Sequence, residues 1–268
     1  RCSMKSGLEK EWKKVLQKEE KFLRQRTKEE KESKDGLMAW VREKVPPKLI
    51  SALETAFRKA FYIVFEKGSG IVEKTFSKED MSLEFAVNDF RIEQSPTRKS
   101  MRKMERLPKK NGRINACMTT VEGVGLGLLG IGLPDIPLFL GMLMKGLYET
   151  AIGYGFVYDT KEERIFLLRI IAAALVEPAE RTQADQRVED WMKNQSQEVD
   201  FDQEIERAAD AMSAGMLAAK FVQGLPLVGA AGGAYNLVIY RKVQQYAALK
   251  YKKRYLMEKM KKHSLDCL

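Results

Sequence analysis

Histidine is almost absent from this sequence: among 268 residues only His263 is present, in a lysine-rich tail. That excludes a Ser-His-Asp or Cys-His arrangement, a His-ligated zinc and histidine acid-base work. Cysteine is nearly as scarce. Cys2, Cys117 and Cys267 make no disulfide framework. No GxxxxGK[ST] loop is present. Gly125 to Gly130 does spell GxGxxG, but no β-rich run precedes it and Pro134 interrupts the helix that should follow, so a dinucleotide site lacks its strand, turn and helix dipole. No metal and no cofactor is expected. Asp200, Asp202 and Glu204 could hold a hard cation, but acids at a helix start are more simply stabilised by the macrodipole. Sustained period-two alternation is missing as well, which argues for an all-α fold.

What the chain does have is glycine in apolar surroundings. GVGLGLLGIGLPDIPLFLGMLM, from Gly123 to Met144, is long enough by hydropathy to cross a bilayer, yet Pro134, Asp135 and Pro137 would break a straight spanning helix. It reads as a hairpin with arms of about 10 residues, each about half a hydrocarbon core in length. A second hairpin runs from Ala211 to Tyr240, broken at Gly224-Leu225-Pro226. Small residues recur one helical turn apart in both: Gly123, Gly127 and Gly130 in the first, Ala211, Gly215 and Ala218 in the second. Such stripes permit close helix approach against protein or within lipid, and the sequence leaves both open. Asp135 caps the helix beginning at Pro137, or meets Lys220, Asn236 or Arg241 as a polar spot between the hairpins.

The net charge of +10 is uneven. Residues 1–48, 91–113 and 241–263 carry +6, +7 and +8, while 159–210 carries −7. Basic faces of this kind suit phosphates of lipid or nucleic acid, or they form solvated helix faces or pair internally with the acidic segment.

Helix signals are frequent. Leu8, Trp12, Val15 and Phe22 share a face of a charged amino-terminal helix expected to project or pack loosely. Pro46-Pro47 opens a helix with Leu49, Leu53, Phe57, Phe61 and Val64 as its buried stripe, ended by Gly68-Ser69-Gly70. Ser77 with Asp80, Ser95 before Pro96, and Asp159 with Glu162 mark further starts, and Ile165 to Leu175 is apolar on every side, as a central helix should be. The expected fold is an all-α multi-helix bundle with two glycine-rich, Pro-broken apolar hairpins. It divides into a charged extension at 1–45, a helical domain at 46–257 and a basic tail at 258–268.

PPKLISALETAFRKAF, the glycine-rich run into GLPDIP, the helix leading to Tyr154-Gly155-Phe156 and Glu163-Arg164, and GLPLVGAAGGAYN before a long basic helix together resemble the EcsC protein family over about residues 46–256. The resemblance implies a bacterial cytoplasmic protein, genetically associated with an ABC transport system in some members, and it supplies no catalytic residues.

In YRKVQQYAALKYKKRYLMEKMKK the tyrosines, among them Tyr251 and Tyr255, interleave with Lys250, Lys252, Lys253 and Arg254. That mixture suits a bilayer interface, where rings sit at head-group depth and cations meet anionic lipid, and those positions are expected to be exposed. The opening RCSMKSGLEKEWKK has charges where a signal peptide needs an apolar core. The expectation is a protein on the cytoplasmic side, peripherally attached to the inner membrane face. It would bind anionic lipid or a hydrophobic ligand through Asp135, Tyr154, Lys220, Asn236, Arg241 and the cations and tyrosines of 250–255, and a membrane transporter is a further expected partner. The alternatives are a hydrolase working through carboxylates and tyrosines and a nucleic-acid-binding helical module.

Overall fold

The structure, a computed structural model, describes residues 2–25, 43, 45–68, 77–94, 97, 99–105, 135–195, 198–222 and 232–265, with backbone alone at 2–6, 67–68, 135, 220–222, 232–236 and 263–265. Every regular element among them is helical: α1 (Cys2–Arg24), α2 (Pro47–Ile63) running into a π-helical turn (Val64–Gly68), α3 (Lys78–Gln94), α4 (Asp135–Gly153), α5 (Lys161–Leu175), α6 (Pro178–Lys193), α7 (Phe201–Val222) and α8 (Gly232–Leu265). The chain folds as an all-α multi-helix bundle.

α5 is the centre. Ile165 to Leu175 is buried apart from the half-buried Arg169, and α6, α7 and α8 pack around it. Its start is fixed by Thr160, whose hydroxyl accepts from the Glu163 N–H at 3.2 Å. The cap thus lies one residue beyond Asp159, which instead sits 3.6 Å from Lys78. Pro178 then forces the chain out of one helix and opens the next at its first position. Ser77 caps α3, accepting from the Asp80 N–H at 3.1 Å. In the short helical turn at 99–105 the capping hydroxyl is that of Thr97, which accepts from the Ser100 N–H, where the sequence pointed to Ser95. Asp200 accepts from the Asp202 and Gln203 N–H groups at the start of α7, the ordinary capping role.

α1 neither projects nor packs loosely. Leu8, Val15 and Phe22 are buried, Phe22 stacks on Tyr246 with ring centroids 5.0 Å apart, and the helix lies along α8. The first hairpin's glycine stripe, Gly123, Gly127 and Gly130, lies outside the described residues. Its second arm is the 19-residue α4, which starts at Asp135 itself rather than at Pro137. In the second hairpin Ala211 is buried, and a Cβ built on Gly215 would meet Leu175 at 3.5 Å, ordinary contact with protein. Among the described residues no helix is long and apolar enough to cross a membrane.

α4 and α8 cross at Gly146. Gln244 donates to the Leu143 carbonyl at 3.2 Å, Thr150 bonds both Gln244 and the Gly146 carbonyl, and a Cβ at Gly146 would overlap Gln244 and the Tyr240 hydroxyl. Gly146→Ala should therefore destabilise the fold by about 1 to 3 kcal/mol, the usual cost of overpacking. One turn away Gly141 faces open space. Gly141→Ala should stabilise by about 0.4 to 1 kcal/mol through the unfolded chain's lost freedom. Urea unfolding of the two variants should move in opposite directions.

Candidate functional site

Of the residues expected to face lipid, Tyr154 and the cations and tyrosines of 250–255 are brought together by the structure, but inside the bundle. The middle of α8 is enclosed by α1, α4, α5 and α7, and Lys250, Lys252 and Lys253 are 0%, 4% and 6% exposed. Ammonium groups this deep persist only when paired, and each is. Lys250 Nζ lies 2.5 Å from a carboxylate oxygen of Glu19, Asp185 and Glu189 alike. Lys253 reaches the other Glu19 oxygen at 2.6 Å and Glu189 at 2.8 Å. Lys252 pairs with Glu11 at 2.7 Å and Glu105 at 2.5 Å. The expectation that these lysines form an exposed basic face is corrected: their partners come from α1, α6 and the turn at 99–105, and the pairing fills the space a membrane surface would need.

The aromatic and guanidinium groups follow the same logic. Tyr251 donates to Glu163 Oε1 at 2.5 Å, while Arg254 holds Glu163 Oε2 at 2.7 Å and lies 4.0 Å over the Phe156 ring. Tyr255 donates to Asp89 at 2.7 Å, beside Lys259, which bridges Asp89 and Glu93. Tyr154, also buried, lies 6.2 Å ring to ring from Tyr255. These three tyrosines do not form an aromatic belt. Burial, reinforced by the carboxylates they face, pushes the Tyr154, Tyr251 and Tyr255 hydroxyls far above the ordinary range, so they remain protonated donors. Arg241 is exposed on α8. The side chains of Asp135, Lys220 and Asn236, and with them the expected polar spot between the hairpins, lie outside the described residues.

Glu19, Asp185 and Glu189 have oxygens within 4.8 Å of one another, a spacing that could hold a metal ion. The Lys250 ammonium already sits against all three. Burial works against the Glu189 charge, but Lys250 and Lys253 outweigh it and hold the carboxyl below its ordinary value, and burial of Lys250 is likewise outweighed by its three carboxylates, which raise it. The cluster is an internal salt-bridge ladder.

Two surfaces stand out among the described residues. A groove of about 860 Å³ runs along α2, lined by small residues such as Ser51, Ala52 and Thr55, by Lys48 and Lys59, and by Pro137 of α4. The second lies on α3, where Leu83, Val87 and Phe90 point outward. Sequence reasoning passed over both, although Met81, Leu83, Phe85 and Val87 already show apolar residues on opposite sides of that helix.

The bundle with its enclosed basic helix defines an all-α protein without a visible catalytic constellation among the described residues, and its sequence belongs to the EcsC protein family, whose model matches residues 9–256. The match includes α1 from residue 9 onward, well ahead of residue 46. The chain is similar to Protein EcsC of Bacillus subtilis (strain 168), 29% identical over 202 residues that cover 73% of this chain and 74% of that protein. No solved structure matches the chain.

Proposed function

We propose that the protein is a peripheral membrane accessory protein that contacts anionic lipid on the cytoplasmic side. The observation that carries this reading is where the charge lies. Among the described residues six acids (Glu11, Glu19, Glu149, Glu163, Asp185 and Glu204) and five cations (Arg181, Lys250, Lys252, Lys253 and Lys259) are buried. The buried charges nearly cancel, so the buried lysines add nothing to a surface field, and the excess of basic over acidic residues in the sequence is what an anionic surface would attract. The hydrolase alternative loses support, because Tyr251 and Tyr255 are bonded to buried or half-buried carboxylates and are closed to a substrate. Nucleic acid shares the electrostatic term but offers nothing for the exposed apolar side chains. The link to an ABC transport system remains a proposal, tested by co-purification of a transporter with the tagged chain from bacterial membranes.

Flotation of the full chain with phosphatidylglycerol vesicles and with phosphatidylcholine vesicles tests the reading. Binding to the anionic vesicles, weakened at least tenfold at about 1 M salt where the Debye length is about 3 Å, is the expected result. No flotation with either vesicle overturns it, and salt-dependent retention on heparin without lipid binding favours nucleic acid. The groove along α2 supports a second reading, a carrier of one amphiphile whose anionic head meets Lys48 or Lys59. Native mass spectrometry of the purified protein should then show a co-purified lipid.

A further inference from the structure

Three arginines from three helices gather around one buried carboxylate. Arg169 of α5 holds Glu204 of α7 through Nε at 3.2 Å and Nη2 at 2.9 Å, and Arg207, one turn further along α7, reaches the same Glu204 oxygen at 3.1 Å. The remaining Arg169 nitrogen donates to the Arg187 carbonyl of α6 at 3.1 Å, and the Arg169 guanidinium lies 4.8 Å from the centre of the Trp191 ring. Glu204 and Arg169 are closed in, whereas the Arg207 side chain is 36% exposed and stands at the rim.

Arg187 is the odd member. It is half-buried, and among the described residues its guanidinium makes neither a hydrogen bond nor an ion pair. Burial and repulsion from Arg207 and Arg169 outweigh the attraction of Glu204 and Glu180 and hold it below the ordinary arginine value. The neighbouring acids are engaged elsewhere. On α6, Asp185 and Glu189 sit against Lys250, and Asp190 is taken by Gln186 and Lys193. On α7, Asp202 and Glu206 turn to Tyr62 and Arg58 of α2. Three guanidinium groups thus face two carboxylates, one of which is already shared by two of them, and a positive charge is left over at Arg187. A half-buried cation without a partner weakens the fold, and no contact within the fold offsets it. A phosphate does: its oxygens match guanidinium forks, and its two negative charges cancel the excess.

We propose that Arg187 and Arg207, with Arg169 and Glu204 holding Arg207 in place, form a binding site for a phosphate group, free or carried on a lipid head group, where α6 and α7 flank α5. The site stands independently of the membrane reading above. Its test is titration calorimetry of the full chain with inorganic phosphate at constant ionic strength, with thermal unfolding in phosphate-free buffer as the fold control. The parent should bind one phosphate, and Arg187→Gln and Arg207→Gln should each weaken binding about tenfold or more, as expected when one charged donor is lost. Arg187→Gln should unfold at the parent's temperature or above it, because it removes a repelled cation and no bond. Flotation on vesicles of phosphatidylcholine with phosphatidic acid separates the sources: a loss in Arg187→Gln assigns the phosphate to a lipid head group, and parent-like flotation with lost calorimetric binding assigns it to a free phosphate compound. Parent-like behaviour of folded Arg187→Gln in both arms, or no binding by the parent in either, overturns the site and leaves the peripheral-membrane reading to its own phosphatidylglycerol test. Binding of acetate as tight as that of phosphate assigns the arginines to a carboxylate and rejects phosphate.

Discussion

Lys250→Met should lower stability by about 3 to 5 kcal/mol, the range for removing one partner of a buried ion pair, because Asp185 would be left without a cation and Glu19 and Glu189 with Lys253 alone. Lys250→Glu should prevent folding at neutral pH. Either result would be seen in denaturant unfolding followed by circular dichroism, and parent-like stability of Lys250→Met would mean the ladder is not formed. Pairing with Asp185→Leu should recover part of the loss, since it removes the carboxylate left without a cation while Glu19 and Glu189 keep Lys253. The pH dependence follows from the shifts. Burial opposes the Glu11 and Glu189 charges, but Lys14 and Lys252 at the first, and Lys250 and Lys253 at the second, hold both carboxyls below the ordinary 4.5. Their stabilisation is therefore present above that value and lost as pH falls through their lower folded values. Lys250 is raised above 10.5, so its contribution is complete below that value and is lost as pH rises past its folded value. Stability should be flat across neutral pH and fall at both extremes, and Lys250→Met should weaken the alkaline limb without abolishing it, because the buried Tyr154, Tyr246, Tyr251 and Tyr255 hydroxyls are raised as well.

The second large effect is expected at Gly155. α4 ends in a Schellman motif: the Phe156 N–H bonds the Ala151 carbonyl at 2.9 Å, the Gly155 N–H bonds that of Ile152 at 2.8 Å, and Gly155 has a φ of 85°. A side chain there meets two separate costs. The left-handed conformation disfavours any Cβ by about 1 to 2 kcal/mol, and the built Cβ would overlap the Phe85 ring, an overpacking of about 1 to 3 kcal/mol. Gly155→Ala should thus cost about 2 to 5 kcal/mol in equilibrium unfolding. A double-mutant cycle with Phe85→Ala should show favourable coupling for the overlap part alone, leaving the backbone part in place. Additive effects would mean the ring moves away without resistance.

The same residues show what the sequence could and could not convey. Pro47 at a helix start, Ser77 as a cap and the all-apolar α5 obey local rules, so they were legible within a few residues. Thr160 displaced Asp159 as a cap, a distinction local spacing does not make, while Ser95 lies outside the described residues and Thr97 caps the turn at 99–105. Lys250 was misread for a different reason. Its partners Glu19 and Asp185 lie 231 and 65 residues away in the chain, and a helix of alternating tyrosines and lysines has the same composition whether it meets head groups or buried carboxylates. The opposed charges of residues 159–210 and 241–263 were the available signal. They pointed to internal pairing, but the contribution of Glu11 and Glu19 from α1 depends on a packing that amphipathicity alone does not specify.

Hydrogen exchange of the full chain, with and without phosphatidylglycerol vesicles, separates an internal basic helix from a membrane-facing one most directly. The expected result is slow exchange at 246–259 under both conditions. Fast exchange at 246–259 in the free protein, with protection gained there on the vesicles, would contradict it.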